Sequence, residues 1–350
     1  MNFKEIKELP NDGYKIASSL CGVINKNIIV GGGYGYIKPL SEGGEMILSS
    51  KIRLLTENNG EWILHDEVEV KHEGQKIGFC KGASFVLGDK LYYFAGITSD
   101  DNETICSSSV IEVSINNNKI SYKFLKDILP FSGEVLGTKY NDDIFLICRN
   151  KNFLIKINNS NFNIIENFLN FTGNISGSLP ISPKRDVLYL IGGYVPYVGD
   201  VPDSNYFIDN RIIIFKNGQI KEIQLKNIEN NPVVFLGSSI IAVDYENILI
   251  IGGVNKKIFL EDQFNLATLR GKKLEIFKGK YFNKSEKEFK YNNKLLWINL
   301  NSLNVLPLFE FNNGYSSNPR FVNIDSNFYI IDGEIKPGIH LSKPIKFEFK

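Results

Sequence analysis

The chain has 350 residues, 43% hydrophobic, 12% aromatic and 23% charged, which is ample material for a buried core and excludes a disordered or collagen-like polymer. Forty basic side chains against 39 acidic ones leave a net charge of +1, so no overall field attracts nucleic acid or an anionic bilayer, and neither is expected as a partner. The opening residues MNFKEIKELPNDGYK contain no apolar signal core, and no later stretch approaches the ~20 apolar residues of a membrane helix, so a cytoplasmic location is expected. Cys21, Cys80, Cys106 and Cys148 have no CxxC spacing and sit in or beside apparent strands, where they read as reduced thiols and not as metal ligands.

Taken in chain order, NFKEIKEL at 2–9 precedes a first strand pattern, YKIASSLCGVI, and then a repeat begins. Six short apolar runs end in glycine or a substitute: NIIVGGG (27–33), KLYYFAG (90–96), DIFLICR (143–149), VLYLIGG (187–193), ILIIGG (248–253) and FYIIDG (328–333). Each is rich in Ile, Tyr and Phe and reads as a strand buried on both faces. Around the second run, KGASFVLGD precedes and SSSVIEVSI and ISYKFLKDI follow, which makes four antiparallel strands per unit. The same order recurs between 233 and 311 as VVFLGSSIIAVD, ILIIGG, KLLWINLN and VLPLFEF. The third unit lacks the glycine pair and ends in Cys148-Arg149.

A four-stranded blade with Gly-Gly after its second strand and aromatic residues in its third and fourth resembles the kelch repeat, and six such units close a ring. The expected fold is therefore all-β: a six-bladed kelch-type β-propeller forming one domain over 1–350. The last unit, FVNID, FYIIDG and PIKFEF, is one strand short, and residues 2–9 sit where that strand belongs, so the N-terminal strand is expected to close the ring. After GGVNK (252–256), Phe259, Gln263, Leu266 and Leu269 recur near helical spacing among charges, which predicts a helical insertion over about 257–290 in the fifth blade.

No P-loop, GxSxG or complete dinucleotide fingerprint is present, and His65, His72 and His340 lack metal-ligand spacing, so neither a cofactor nor a metal is expected. Propellers gather the loops that leave their second strands on one face. Here those loops bring Tyr34, Tyr36, Tyr194, Tyr197, Lys256, Glu334, Lys336 and His340 to a polar, aromatic rim of the kind that suits sugars. Each tyrosine alone also fits an ordinary turn residue. Glu334 follows a buried strand directly, in Gly333-Glu334-Ile335-Lys336-Pro337-Gly338, and is equally a candidate general acid or base and a structural acceptor for backbone N–H groups.

At two segments, GGVNKKIF (252–259), with Tyr281-Phe282 downstream, and DGEIKPGIH (332–340), the chain resembles the bacterial N-acetylneuraminate (sialic acid) mutarotases, also called epimerases, which are six-bladed kelch propellers. The resemblance covers nearly the whole chain in permuted order, like a cyclically permuted branch of that family. It implies an isomerase that exchanges the α and β anomers of an acidic sugar, with Glu334 as catalytic carboxylate. The partner arginine six residues later is His340 here. The resemblance also implies that Asn255, Lys256, Lys336, Arg320, Tyr34, Tyr36 and Tyr194 bind substrate. Lys256, Lys336, Arg320 and Arg270 are alternatives to a protonated His340 as the cation that holds the sugar carboxylate. The alternative functions are a non-catalytic kelch module binding a protein or glycan, and a mutarotase of another acidic or N-acetylated sugar.

Overall fold

A computed structural model of the chain describes residues 2–11, 13, 15–94, 96–100, 103–106, 109–125, 129–131, 133–158, 161–195, 207–208, 210–226, 234–311, 316–341 and 343–348. Six four-stranded antiparallel sheets follow one another around a ring. Blade 1 comprises Leu20–Ile24, Asn27–Gly31, Lys51–Asn58 and Glu61–Glu69, and blade 2 Ala83–Leu87, Lys90–Phe94, Val110–Asn116 and Lys119–Leu125. Blade 3 comprises Val135–Tyr140, Asp143–Cys148, Lys151–Asn158 and Asn161–Glu166, and blade 4 Leu179–Ile181, Val187–Ile191, Arg211–Lys216 and Gln219–Gln224. Blade 5 is built from Ser238–Ala242, Asn247–Gly252, Lys294–Asn299 and Asn304–Glu310, and blade 6 from Phe321–Ile324, Asn327–Ile330, Ile345–Glu348 and the N-terminal strand Asn2–Glu5.

The second strands are apolar at consecutive positions because each blade is sandwiched between two others. In blade 1, Ile29 packs with Leu91 and Tyr93 of blade 2, while its neighbours Ile28 and Val30 pack with Tyr329 and Ile331 of blade 6. Alternate side chains thus serve opposite interfaces. The same division gives a buried cluster between every adjacent pair of blades, six in all, so the core is a ring of interfaces.

The strand that starts the chain closes this ring. Asn2 pairs with Glu348 and Glu5 with Ile345, in antiparallel register. Ile6, 2% exposed, enters the interface between blades 6 and 1, and Lys7 is fixed there by its N–H on the Gly60 carbonyl at 3.0 Å and by Trp62 Nε1, which donates to the Lys7 carbonyl at 2.8 Å.

Two departures from the glycine pair now have physical reasons. Blade 3 lacks it because Cys148 runs into Lys151 through a tight turn, Arg149-Asn150, whereas the glycine-bearing strands lead into excursions over the ring face. At Gly252, φ is +73° and an added Cβ would collide with the Ser316 carbonyl, so only glycine fits beneath that loop. In blade 6, Asp332 takes the first glycine's place. Its Oδ2 accepts from the Ser19 N–H at 3.1 Å and from the Ser19 hydroxyl at 2.6 Å, a clamp to blade 1 that no glycine could make.

The insertion in blade 5 is helical as expected, but divides into three: α1 Lys256–Thr268, α2 Gly271–Asn283 and α3 Glu286–Phe289. Asn255 caps α1 by accepting from the Ile258 N–H at 3.2 Å. Gly271 opens α2 at φ +53°, and Ser285 with Glu288 forms a capping box on α3. Among the described residues no helix is long and apolar enough to cross a membrane.

Removing residues 1–9 takes away one blade strand and the buried Ile6 together. The shortened chain is expected to lose at least about 2 kcal/mol of stability, the lower range for deleting a buried isoleucine, and to associate through its bare strand edge. Chemical denaturation and light scattering measure both effects. An unchanged denaturation midpoint would show that the N-terminal strand does not hold the ring.

Candidate functional site

The segment Glu334 to His340 is a short hairpin. Strand Glu334–Lys336 pairs with Ile339–His340 across a turn made by Pro337 and by Gly338 at φ +78°, and the register sets Glu334 opposite His340. The six-residue spacing therefore places the two side chains side by side, with His340 Nε2 3.9 Å from Glu334 Oε1. Backbone bonds between Glu334 and Ser317 in both directions, at 2.9 and 2.8 Å, fix the start of the hairpin.

Glu334 lines a cavity of about 310 Å³ at the mouth of the ring. Its walls come from the blade 5 insertion (Asn255, Phe259, Asp262, Tyr281, Tyr291), from Tyr194 after blade 4, and from the segments that enter the inner strands, with Lys81, Glu134 and Asn318. Those last three also line the axial channel, a further space of about 170 Å³ flanked by the innermost strands of all six blades, so mouth and channel form one lined path. The Glu334 side chain is 17% exposed, and burial raises its carboxyl above the ordinary range, against the Gly338 N–H that donates to Oε1 at 2.9 Å and the charge of Lys81. Burial likewise pushes up the phenols of Tyr281 and Tyr291, with the nearby Glu334 charge adding to it, which keeps both as neutral donors. Asp262, buried at the base of α1, is paired with Lys284 Nζ at 2.6 and 2.9 Å.

The residues predicted for the site divide by position. Glu334, Asn255 and Tyr194 line the cavity, although the Asn255 carbonyl oxygen Oδ1 is engaged as the α1 cap. Lys256 stands exposed in the first turn of α1, outside the lining. Lys336 is turned away: its ammonium donates to the carbonyls of Lys284, at 2.8 Å, and Phe282, at 3.3 Å, at the C-terminal end of α2, where a cation complements the helix dipole. Arg320 lies deeper, on the axial channel, and donates to the Gly82 carbonyl at 3.3 Å. Arg270 bends onto the carbonyls of Ala267 and Leu269. Tyr34 is buried beneath the rim, 6% exposed, with its ring edge-on to His340 at 5.0 Å, and Tyr36 lines a separate cavity with His340. Tyr197 lies outside the described residues.

His340 does not supply a cation. Its side chain is 2% exposed and enclosed by the two tyrosine rings, and burial lowers its pKa to about 4, so the ring is neutral near pH 7. The expected pH-dependent grip of a protonated His340 on a substrate carboxylate is replaced by a different candidate, Lys81. Among the described residues it is the one lysine or arginine that lines the cavity with Glu334. Lys81 sits at φ +60° just before the inner strand of blade 2, its ammonium 5.8 Å above the Tyr34 ring and 3.8 Å from Glu134 Oε2. Lys81 and Glu134 carried no sequence signal, because they belong to no glycine-pair loop; Asp262 and Tyr291 lie in the long excursion after Gly252-Gly253, where only the apolar spacing around Phe259 and Gln263 pointed to α1.

No protein-family model and no curated protein matches the chain. Among solved structures it is similar to the one titled Structure of YjhT, at 16% sequence identity with a TM-score of 0.51. The superposition covers 61% of this chain, which spans about 62% of that neighbour's length. At that identity the likeness concerns the fold, a six-bladed propeller.

The Lys336 assignment is checked by Lys336→Met, which keeps the aliphatic stem and removes the donor. Two charge-assisted bonds to the end of α2 are lost, so stability is expected to fall by about 1–2 kcal/mol while ligand affinity at the cavity stays as in the wild type. Denaturation and titration calorimetry separate the two, and weakened binding with unchanged stability would return Lys336 to the site.

Proposed function

We propose that the protein is a sugar mutarotase acting on an acidic pyranose, N-acetylneuraminate or a close relative, by general acid–base catalysis at Glu334. One observation carries this reading: the Glu334 carboxyl, its pKa raised by burial yet its side chain open to a cavity, shares that cavity with one ammonium group, Lys81, while the other two carboxyls there, Glu134 and Asp262, lie beside lysines. A volume of about 310 Å³ lies in the range of small-molecule sites. The motifs GGVNK and DGEIKPGIH support the same reading, since they supply the α1 cap and the Glu334 hairpin respectively. A superposition that covers about three-fifths of each chain also fits a permuted blade order, in which a sequential match runs out after roughly four blades.

The chemistry requires one proton to leave the anomeric hydroxyl and one to reach the ring oxygen, so that the pyranose opens to the keto form and recloses on the other face. Glu334 in its acid form protonates the ring oxygen on opening, and the carboxylate so formed takes the proton of the anomeric hydroxyl, so that the group is an acid again and can protonate the keto oxygen on reclosure. Its carboxylate then removes the proton again as the ring closes. Lys81 holds the sugar carboxylate, exchanging its contact with Glu134 for the substrate. The neutral hydroxyls of Tyr281 and Tyr291 donate to the sugar's oxygens, and the rings of Phe259 and Tyr194 pack on its C–H surface.

Glu334→Gln preserves shape and removes the titrating proton, and the rate of approach of fresh α-anomer to equilibrium, followed by proton NMR, should fall by ~10²–10⁴-fold. Because the native carboxyl has a raised pKa, its ionisation opposes folding as pH rises past the ordinary carboxylate value, so the variant should melt no lower than the wild type at neutral pH. A variant that turns over at the wild-type rate removes Glu334 from the mechanism. A wild type inert toward every acidic sugar would leave the binding module in its place.

Lys81→Met should weaken binding of the acidic sugar about 10–100-fold, the loss of one charged hydrogen-bonded contact. The methyl ester of the same sugar should bind both proteins alike. Equal weakening for acid and ester would show that Lys81 shapes the cavity without holding the carboxylate.

A further inference from the structure

His340 Nδ1 lies 2.9 Å from the carbonyl oxygen of Lys15. A carbonyl can only accept, so the ring proton is on Nδ1 and Nε2 presents a lone pair. That nitrogen is buried, has no hydrogen-bond partner among the described residues, and lies 3.9 Å from Glu334 Oε1. A lone pair opposite an ionised carboxylate has nothing to bind, whereas opposite a carboxylic acid it meets an O–H.

We propose that His340 is a positioning residue that accepts, through Nε2, a hydrogen bond from the protonated carboxyl of Glu334, and so holds the acid form of that group in the empty site until a substrate oxygen takes the proton. The contact closes by about an ångström when the proton is present, as hydrogen bonds of unliganded sites commonly do on entering a working state. Gly338 N–H donates to the same oxygen, which as a hydroxyl can still accept, although this bond favours the carboxylate and so opposes the acid form. The role rests on the reading of Glu334 as the proton carrier, and it gives the histidine a function opposite to that of a cation. A cation would favour the carboxylate, while a neutral acceptor favours the acid.

The groups facing the pair are few. Glu334 is faced by Lys81 and Glu134 from the segments entering blades 2 and 3, by Tyr34 and Tyr36, and by Asp262, Tyr281 and Tyr291 of the insertion region. His340 is faced by Tyr34 and Tyr36, with Glu8 and Lys15 beside its own cavity. Burial raises all four phenols, so they stay neutral. Lys81 acts in favour of ionisation, and burial acts against it.

The test needs no sugar. Full-length protein labelled with ¹⁵N in histidine rings and ¹³C in glutamate carboxyls is titrated by NMR, with His65 and His72, the other two histidines, as internal references. His340 is expected to hold its proton on Nδ1 throughout, and its Nε2 resonance to move with the same midpoint as the Glu334 carboxyl carbon. In Glu334→Gln the amide N–H₂ donates at every pH, so the resonance should rest at the acid-form position and not titrate. A proton found on Nε2, or an Nε2 resonance indifferent to the state of Glu334, overturns the proposal. If the resonance follows Glu334 but no acidic sugar is turned over, the pairing stands and the mutarotase reading alone falls.

Discussion

The whole structure depends on one topological constraint: every blade needs a neighbour on both faces, and only a closed ring supplies six. A sheet of Ile, Leu, Tyr and Phe with one face bare would present a large apolar surface to water. Six interblade clusters satisfy all twelve faces, and the last of them requires the first and last segments of the chain to meet in one blade. Antiparallel pairing of Asn2–Glu5 with Ile345–Glu348 then replaces a covalent closure with four residue pairs, reinforced by Asp332 on Ser19 and by Trp62 on Lys7. The strand pairing and the Asp332 clamp join residues more than 300 positions apart, so most of their formation cost is loop closure.

Closure also determines where chemistry can be placed. Strands converge at the axis, and whatever leaves them there must turn sharply, hence glycines at positive φ after the second strands. In blade 6 that turn passes into the hairpin that presents Glu334. Its backbone is held at one end by Ser317 and at the other by the Leu341 N–H on the Gly333 carbonyl at 2.7 Å, so the carboxyl is positioned by main-chain bonds of the ring itself. The insertion supplies the opposite wall and is itself tied down, by Lys284 on Asp262 within it and by Lys336 reaching from the Glu334 hairpin to the end of α2. One lysine therefore links the carboxylate-bearing strand to the aromatic wall, a structural duty that removes it from substrate binding.

Much of this was legible in the sequence because the ring imposes a period. Both-faces-buried strands produce unbroken apolar runs, and NIIVGGG or VLYLIGG can be recognised without any knowledge of their partners. The missing strand of blade 6 and the helical character of 257–290 followed from counting, and the pairing of Glu334 with position 340 from the family resemblance. What the sequence concealed was direction. Lys336 and Lys256 lie in the right segments, but one side chain finds helix carbonyls and the other stands exposed outside the cavity lining. Tyr34 stands in a loop motif yet is buried, because the ribbon that carries it folds over His340.

The lysine of the cavity went unmarked for a related reason. The floor of the cavity is built from a second class of connection, the segments that cross from the outer strand of one blade to the inner strand of the next, and these carry no glycine pair to mark them. Lys81 and Glu134 occupy the position immediately outside two successive inner strands, Ala83–Leu87 and Val135–Tyr140, and Asn318 stands shortly before a third, Phe321–Ile324. Their side chains converge at the axis although they are about 50 to 240 residues apart in sequence, simply because all inner strands start on the same face. A six-fold architecture thus offers six equivalent entry positions around one axis, and chemical identity at each is free to vary without disturbing the cores between blades. The histidine at 340 fits that logic: with a lysine available from an entry position, the residue opposite Glu334 no longer has to be charged, and a neutral ring with an open lone pair can serve the proton instead of the carboxylate.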